Sequence, residues 1–237
     1  IATTTALDYM LSRRIAQTDK PRQRKILLGC SLGTHLSLLG FFKYFNFLFQ
    51  NFENMIHFSG FHISFPVFHI LLPIGISFYT FQSMSYVIDV YRKQVEPALS
   101  LWDFALYVSF FPQMIAGPIE RAGHMLPQIK NPRQVTPHKF YEGCYLIFWG
   151  LFQKVFIADN LALIVDPFFK SQAPYPALRT LLVLYAYAFQ IYCDFAGYSN
   201  MARGLAKCLG FEIIFNFNLP YFSTNPREFW QRWHISL

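Results

Sequence analysis

Apolar positions along this chain gather in long runs, and polar positions fall between them. Residues 1–11 read as the end of an apolar helix. Residues 26–50 form an apolar run interrupted by Lys43. Residues 64–88 carry no charge across 25 positions, the length of a spanning helix. Pro66 and Pro73 predict kinks there, which packed membrane helices tolerate. Residues 104–116 are apolar but too short to span, and Pro112 with Gly117-Pro118 breaks them, so they predict a re-entrant hairpin. Residues 140–165 and 177–193 predict two more spans, the first despite Glu142, Lys154 and Asp159. Residues 201–222 read as an interfacial or bundle-buried helix.

The segments between these runs differ in charge. Segments 12–25, 89–100, 119–139 and 201–237 are rich in Lys and Arg, whereas 51–63 and 166–176 together hold only Lys170. If the basic segments face the cytoplasm, the four long runs alternate correctly under the positive-inside rule and 104–116 returns to its own side. The predicted fold class is therefore an all-α polytopic membrane protein. It is a multi-helix bundle with kinked spans and a re-entrant segment, forming a single membrane-embedded domain.

Composition strengthens this reading. Hydrophobic residues make up 54% of the 237 and charged residues 14%, against about 25% charged in a typical soluble domain. So small a charged set cannot cover a soluble surface, and disorder, a collagen-like chain and a nucleic-acid-binding tail are excluded. The net charge of +7 reads as membrane orientation, not nucleic-acid binding. Cys30, Cys144, Cys193 and Cys208 show no ligand spacing, so neither a metal nor a disulfide framework is expected. The chain opens on Ile1 and closes at Leu237 within an amphipathic pattern, so a piece of a longer protein is expected, lacking its start and its C-terminal part.

Candidate chemistry gathers near residue 237. Asn225 can cap a helix, Pro226 suits its first position, and Glu228 stands three residues after the cap. On that helix Phe229, Trp230, Trp233 and Leu237 would share an apolar face, with His234 four residues after Trp230. An imidazole in an aromatic, water-poor setting can serve as a general base, or be a structural histidine bonded to a carbonyl. Glu228 and Arg232 form an i,i+4 pair suited to a salt bridge. The stretch Asp194-Phe195-Ala196-Gly197-Tyr198-Ser199-Asn200 could line a polar cavity. Alternatively, Gly197 ends one helix and Ser199 or Asn200 caps the next. Ser77, Thr80, Gln82 and Ser83 suggest hydrogen bonds between helices. The other histidines, His35 among them, read as structural or solvated.

Several segments together resemble the membrane-bound O-acyltransferase family in its bacterial alginate O-acetyltransferase branch. They are Phe41-Phe42-Lys43-Tyr44-Phe45-Asn46-Phe47, Leu72 to Gln82, and Tyr86 to Arg92, followed by Phe110-Phe111-Pro112-Gln113 and Ile115-Ala116-Gly117-Pro118-Ile119. The last two are Asp194 to Ser199 and Arg227 to Leu237. They occur in the family's order and run nearly end to end. The relative that adds D-alanine to teichoic acids shares the layout.

The resemblance implies a membrane fold with a tunnel joining its two faces, in the bacterial inner membrane. An acyl group, from acetyl-CoA or an acylated carrier, would pass from the cytoplasm to a hydroxyl of an extracytoplasmic polysaccharide, through periplasmic or extracytoplasmic partner proteins. His234 matches the first of two family histidines, and the second is expected beyond Leu237, so these 237 residues alone are expected to be inactive. Asp194, Asn200 and Gln82 are candidate cavity-lining groups, with Trp233 in support. Arg232 is a candidate to hold a donor phosphate or to pair with Glu228. Two other classes fit the residues: a polytopic transporter or channel, and a non-catalytic membrane subunit of an acetylation complex.

Overall fold

The computed structural model describes residues 1–58, 73, 75–114, 117–171 and 175–237. Ten α-helices appear among them: α1 (Ala2–Gln17), α2 (Pro21–Leu39), α3 (Phe45–Phe58), α4 (Ile76–Tyr91), α5 (Leu101–Val108), α6 (Ala122–Lys130), α7 (Pro137–Leu151), α8 (Asp159–Lys170), α9 (Ala177–Cys208) and α10 (Pro226–Arg232). A π-helical turn, Gly40–Tyr44, joins α2 to α3, and another, Phe152–Ala158, joins α7 to α8. Three continuous helices result, Pro21–Phe58, Pro137–Lys170 and Ala177–Cys208, each long and apolar enough to cross a membrane. Phe148, Val155, Leu163, Leu178 and Leu182 are exposed along the last two. The chain is an all-α, multi-pass membrane protein.

Three of the four predicted long spans coincide with these helices, which extend further than the apolar runs. Residues 64–72 and 74 of the fourth lie outside the described residues, as do 59–63 of the segment 51–63. Residues 115 and 116 of the expected hairpin, and 172–174 of the segment 166–176, also lie outside them. Some expectations need correction. The segment 119–139, read as a linker, contains helix α6. Gly197 does not end a helix, because α9 runs through it to Cys208 and residues 201–208 are its last turns.

The chain divides into two compact units, Ile1–Ser109 with Arg121–Ile129, and Phe110–Glu120 with Lys130–Leu237. In the first, α1, α2 and α4 pack against one another. The Tyr86 ring packs at a tilt against Phe104, with centroids 4.4 Å apart. Beside this apolar core sits a polar one. Ser31 Oγ donates to Asp8 Oδ1 at 2.6 Å, and His35 Nε2 meets Asp8 Oδ2 at 2.6 Å. All three residues are fully buried. His35 is thus hydrogen-bonded to a carboxyl group, the kind of pairing that makes buried polar groups tolerable.

In the second unit α7 and its extension pack antiparallel to α9 through glycines. A Cβ on Gly150 would lie 2.5 Å from the Gly197 carbonyl oxygen, and one on Gly197 2.8 Å from that of Gly150. Seven residues along each helix the pairing repeats between Gly143 and Gly204, at 2.8 and 2.5 Å. Backbones this close permit only small residues, the usual basis of helix association in membranes. That contact is why Gly197 lies inside a helix.

Candidate functional site

The local sequence builds α10 as its cap predicts. Asn225 is extended, and its side-chain oxygen accepts from Glu228 N at 2.9 Å. Glu228 Oε2 accepts from both the backbone N and the hydroxyl of Thr224 at 2.8 Å, while Arg232 donates to Oε1. The Thr224 amide first, then its hydroxyl and Arg232, hold the Glu228 carboxyl below its usual range.

The helix then stops. Trp233 is extended and pairs with Phe217 in an isolated antiparallel bridge. Asn218 N donates to Arg232 O at 2.9 Å, and Ile235 N to Asn216 O at 3.0 Å. His234 therefore does not share a helical face with Trp230. It occupies the left-handed region, φ 48°, which non-glycine residues seldom adopt outside functional or tightly determined sites. Asn216, 1% exposed, holds that turn. Its Oδ1 accepts from Ser236 N at 3.2 Å, and its Nδ2 donates to Ser199 Oγ on α9 at 3.1 Å.

The His234 ring stands edge-on to Phe195, with centroids 4.7 Å apart. Its Nε2 is buried and has no hydrogen-bond partner among the described residues. Burial pushes the imidazole pKa below its usual value, which favours the neutral ring. With its proton on Nδ1, that ring presents a free lone pair at Nε2, the requirement for a general base. Trp233 supports it from a cluster with Phe217 at 5.0 Å, Phe229 at 5.6 Å and Tyr221 at 6.1 Å.

A cavity of about 260 Å³ opens in the same unit, lined in part by Trp149, Gln153, Tyr192, Ser199, Asn200, Asn216 and Asn218. Its described lining carries amides, a serine hydroxyl and aromatic rings but no charged side chain. Asn200 Nδ2 donates to Gln153 Oε1 at 2.8 Å, and the Asn200 oxygen and the Gln153 amide nitrogen have no hydrogen-bond partner among the described residues. Asn200 is part of this lining.

Asp194 is placed elsewhere. It pairs with Lys154 at 2.5 Å, and Lys154 also holds Asp159 at 2.7 Å. Lys154 lies in the π-helical turn, a distortion common at functional positions. Arg232 is engaged by Glu228. Gln82 belongs to the first unit, where its Nε2 donates to the Tyr107 carbonyl at 2.9 Å. Gln153 and Asn216 escape the sequence reading. The polar interruptions at Asn216 and Asn218 within an aromatic stretch were the available signal, while Gln153 had none.

Residues 95–237 match the membrane-bound O-acyltransferase family. The chain is 47% identical over 218 residues to a Pseudomonas putida protein named probable alginate O-acetylase, covering 92% of this chain and 44% of the relative. It is 35% identical over 256 residues to the Helicobacter pylori peptidoglycan O-acetyltransferase, covering 97% of this chain and 48% of that protein. With the Bacillus subtilis teichoic acid D-alanyltransferase it shares 28% identity over 178 residues, covering 73% of this chain and 44% of that protein. The chain spans less than half the length of these relatives.

Proposed function

The chain belongs to the membrane-bound O-acyltransferase family, and from that premise we propose that the whole protein moves an acetyl or other acyl group from a cytoplasmic donor to hydroxyls of an extracytoplasmic polysaccharide. The observation that carries this is His234. It is a neutral-leaning imidazole whose buried Nε2 is unpaired among the described residues, fixed in a left-handed turn by Asn216 and set edge-on to the Phe195 ring. In the proposed step His234, together with a second histidine of the whole protein, takes the proton of the acceptor hydroxyl as the oxygen attacks the acyl carbonyl. The proton then passes to the leaving thiolate. The apolar wall keeps out water that would hydrolyse the thioester. Asn200 and Gln153 orient the neutral part of a substrate in the cavity. The relatives' names, which include alginate, peptidoglycan and teichoic acid, support a bacterial polysaccharide-type acceptor, and the reading puts the enzyme in the inner membrane.

Reconstitution tests this. Full-length protein in liposomes, with radiolabelled acyl donor on one side and polysaccharide with any partner proteins on the other, should give label covalently attached to the polysaccharide. Label that crosses without becoming attached would instead identify a transporter. Attachment that persists when only the partner proteins are supplied would make the chain a recruiting subunit.

A further inference from the structure

Arg203 lies on α9 one turn beyond Ser199 and Asn200, both of which line the cavity. Its guanidinium sits over Phe215, 5.8 Å from the ring centroid, and Phe215 is also part of the cavity wall. The Arg203 Nε is buried and hydrogen-bonds to nothing among the described residues. Glu212 acts on Arg203 electrostatically but also sits 3.6 Å from Lys139 and 3.9 Å from Lys207. Lys207 also holds Glu142 at 2.6 Å. Among the described residues these three cations thus share two carboxylates, and Arg203 is the one of the three in salt-bridge contact with neither. A buried Nε without an acceptor is costly, and the guanidinium's planar fork of donors matches phosphate oxygens.

We propose that Arg203 is the seat of a phosphate group, adjoining through Phe215 a neutral cavity that takes the uncharged part of the same molecule. The ligand class is a phosphate ester attached to a neutral, hydroxyl- or amide-bearing body. Two sources share this chemistry: the phosphates of the acyl donor and the headgroup of a membrane phospholipid. Only the donor source rests on the acyltransferase reading. Arg232, bound to Glu228, is not needed for this role.

Native mass spectrometry of the full-length protein in detergent tests the proposal without turnover, so a failed phosphate site and a failed acyltransferase reading are scored separately. The probes are coenzyme A and phosphatidylglycerol, each titrated against wild type, Arg203→Gln and Arg203→Lys. Arg203→Gln should weaken one probe at least tenfold, Arg203→Lys should retain part of the binding, and inorganic pyrophosphate should displace that probe from wild type. Loss of coenzyme A assigns the donor, and loss of phosphatidylglycerol assigns the lipid. Arg203→Gln binding both probes as wild type does would overturn the site. Should that variant fail to fold, wild-type binding of both probes that pyrophosphate leaves intact would overturn it equally.

Discussion

Replacing Gly150 by alanine adds one methyl where α7 meets α9. That Cβ would stand 2.5 Å from the Gly197 carbonyl oxygen and 2.9 Å from Met201 N, below the 3.0 Å that real Cβ contacts respect. Both atoms are backbone, so neither can rotate away and the helices must part by at least about 0.5 Å. Overpacking of this kind costs about 1–3 kcal/mol. Alanine also gains about 1 kcal/mol over glycine in a helix, so the net loss reaches about 2 kcal/mol. Separation also strains the Asn200–Gln153 hydrogen bond one turn away, worth about 1 kcal/mol. Gly33→Ala is the internal control. A Cβ there meets nothing within 4 Å, so the same change should stabilise by about 1 kcal/mol. Melting of the purified full-length variants by scanning fluorimetry should separate them, at about 2–4 °C per kcal/mol. Gly150→Val should melt lower still. A Gly150→Ala melting point equal to or above that of Gly33→Ala would refute the close-approach reasoning.

Asp8→Ala should destabilise the protein by about 1–3 kcal/mol, because it leaves His35 and Ser31 buried without their acceptor; equilibrium denaturation checks this, and a loss near zero would mean these bonds are not formed. The pH dependence of acyl transfer should show an acid limb with its midpoint below the usual histidine value of 6.5, since burial lowers His234. The same group makes folding stability rise with pH. Its contribution is complete above the unfolded value and is lost as pH falls through the lower folded value. A kcat/KM profile with its acid midpoint above 6.5 would contradict the assignment.

How much was legible in the sequence depended on range. The α10 cap is local: Asn225, Pro226 and Glu228 lie within four positions, and their bonds form as their order predicts. The long spans are legible because apolar length is itself the signal. The fate of Gly197 is not local, because its role is set by Gly150, 47 positions away, so a helix stop and a helix contact look alike. His234 leaves the predicted helical face because Phe217 captures Trp233 in a bridge. The pairing of Asp8 with His35 depends on two helices packing, and no spacing within either announces it. The family itself was legible from ordered motifs.

The central claim is that His234 takes part in acyl transfer, and its most direct test is the acetyl content of polysaccharide made by full-length protein carrying His234→Ala. Acetylation should fall by about 10²–10⁴-fold, the typical contribution of a general base, while membrane insertion and melting behaviour stay normal. Wild-type acetylation from a well-inserted His234→Ala protein would contradict the account.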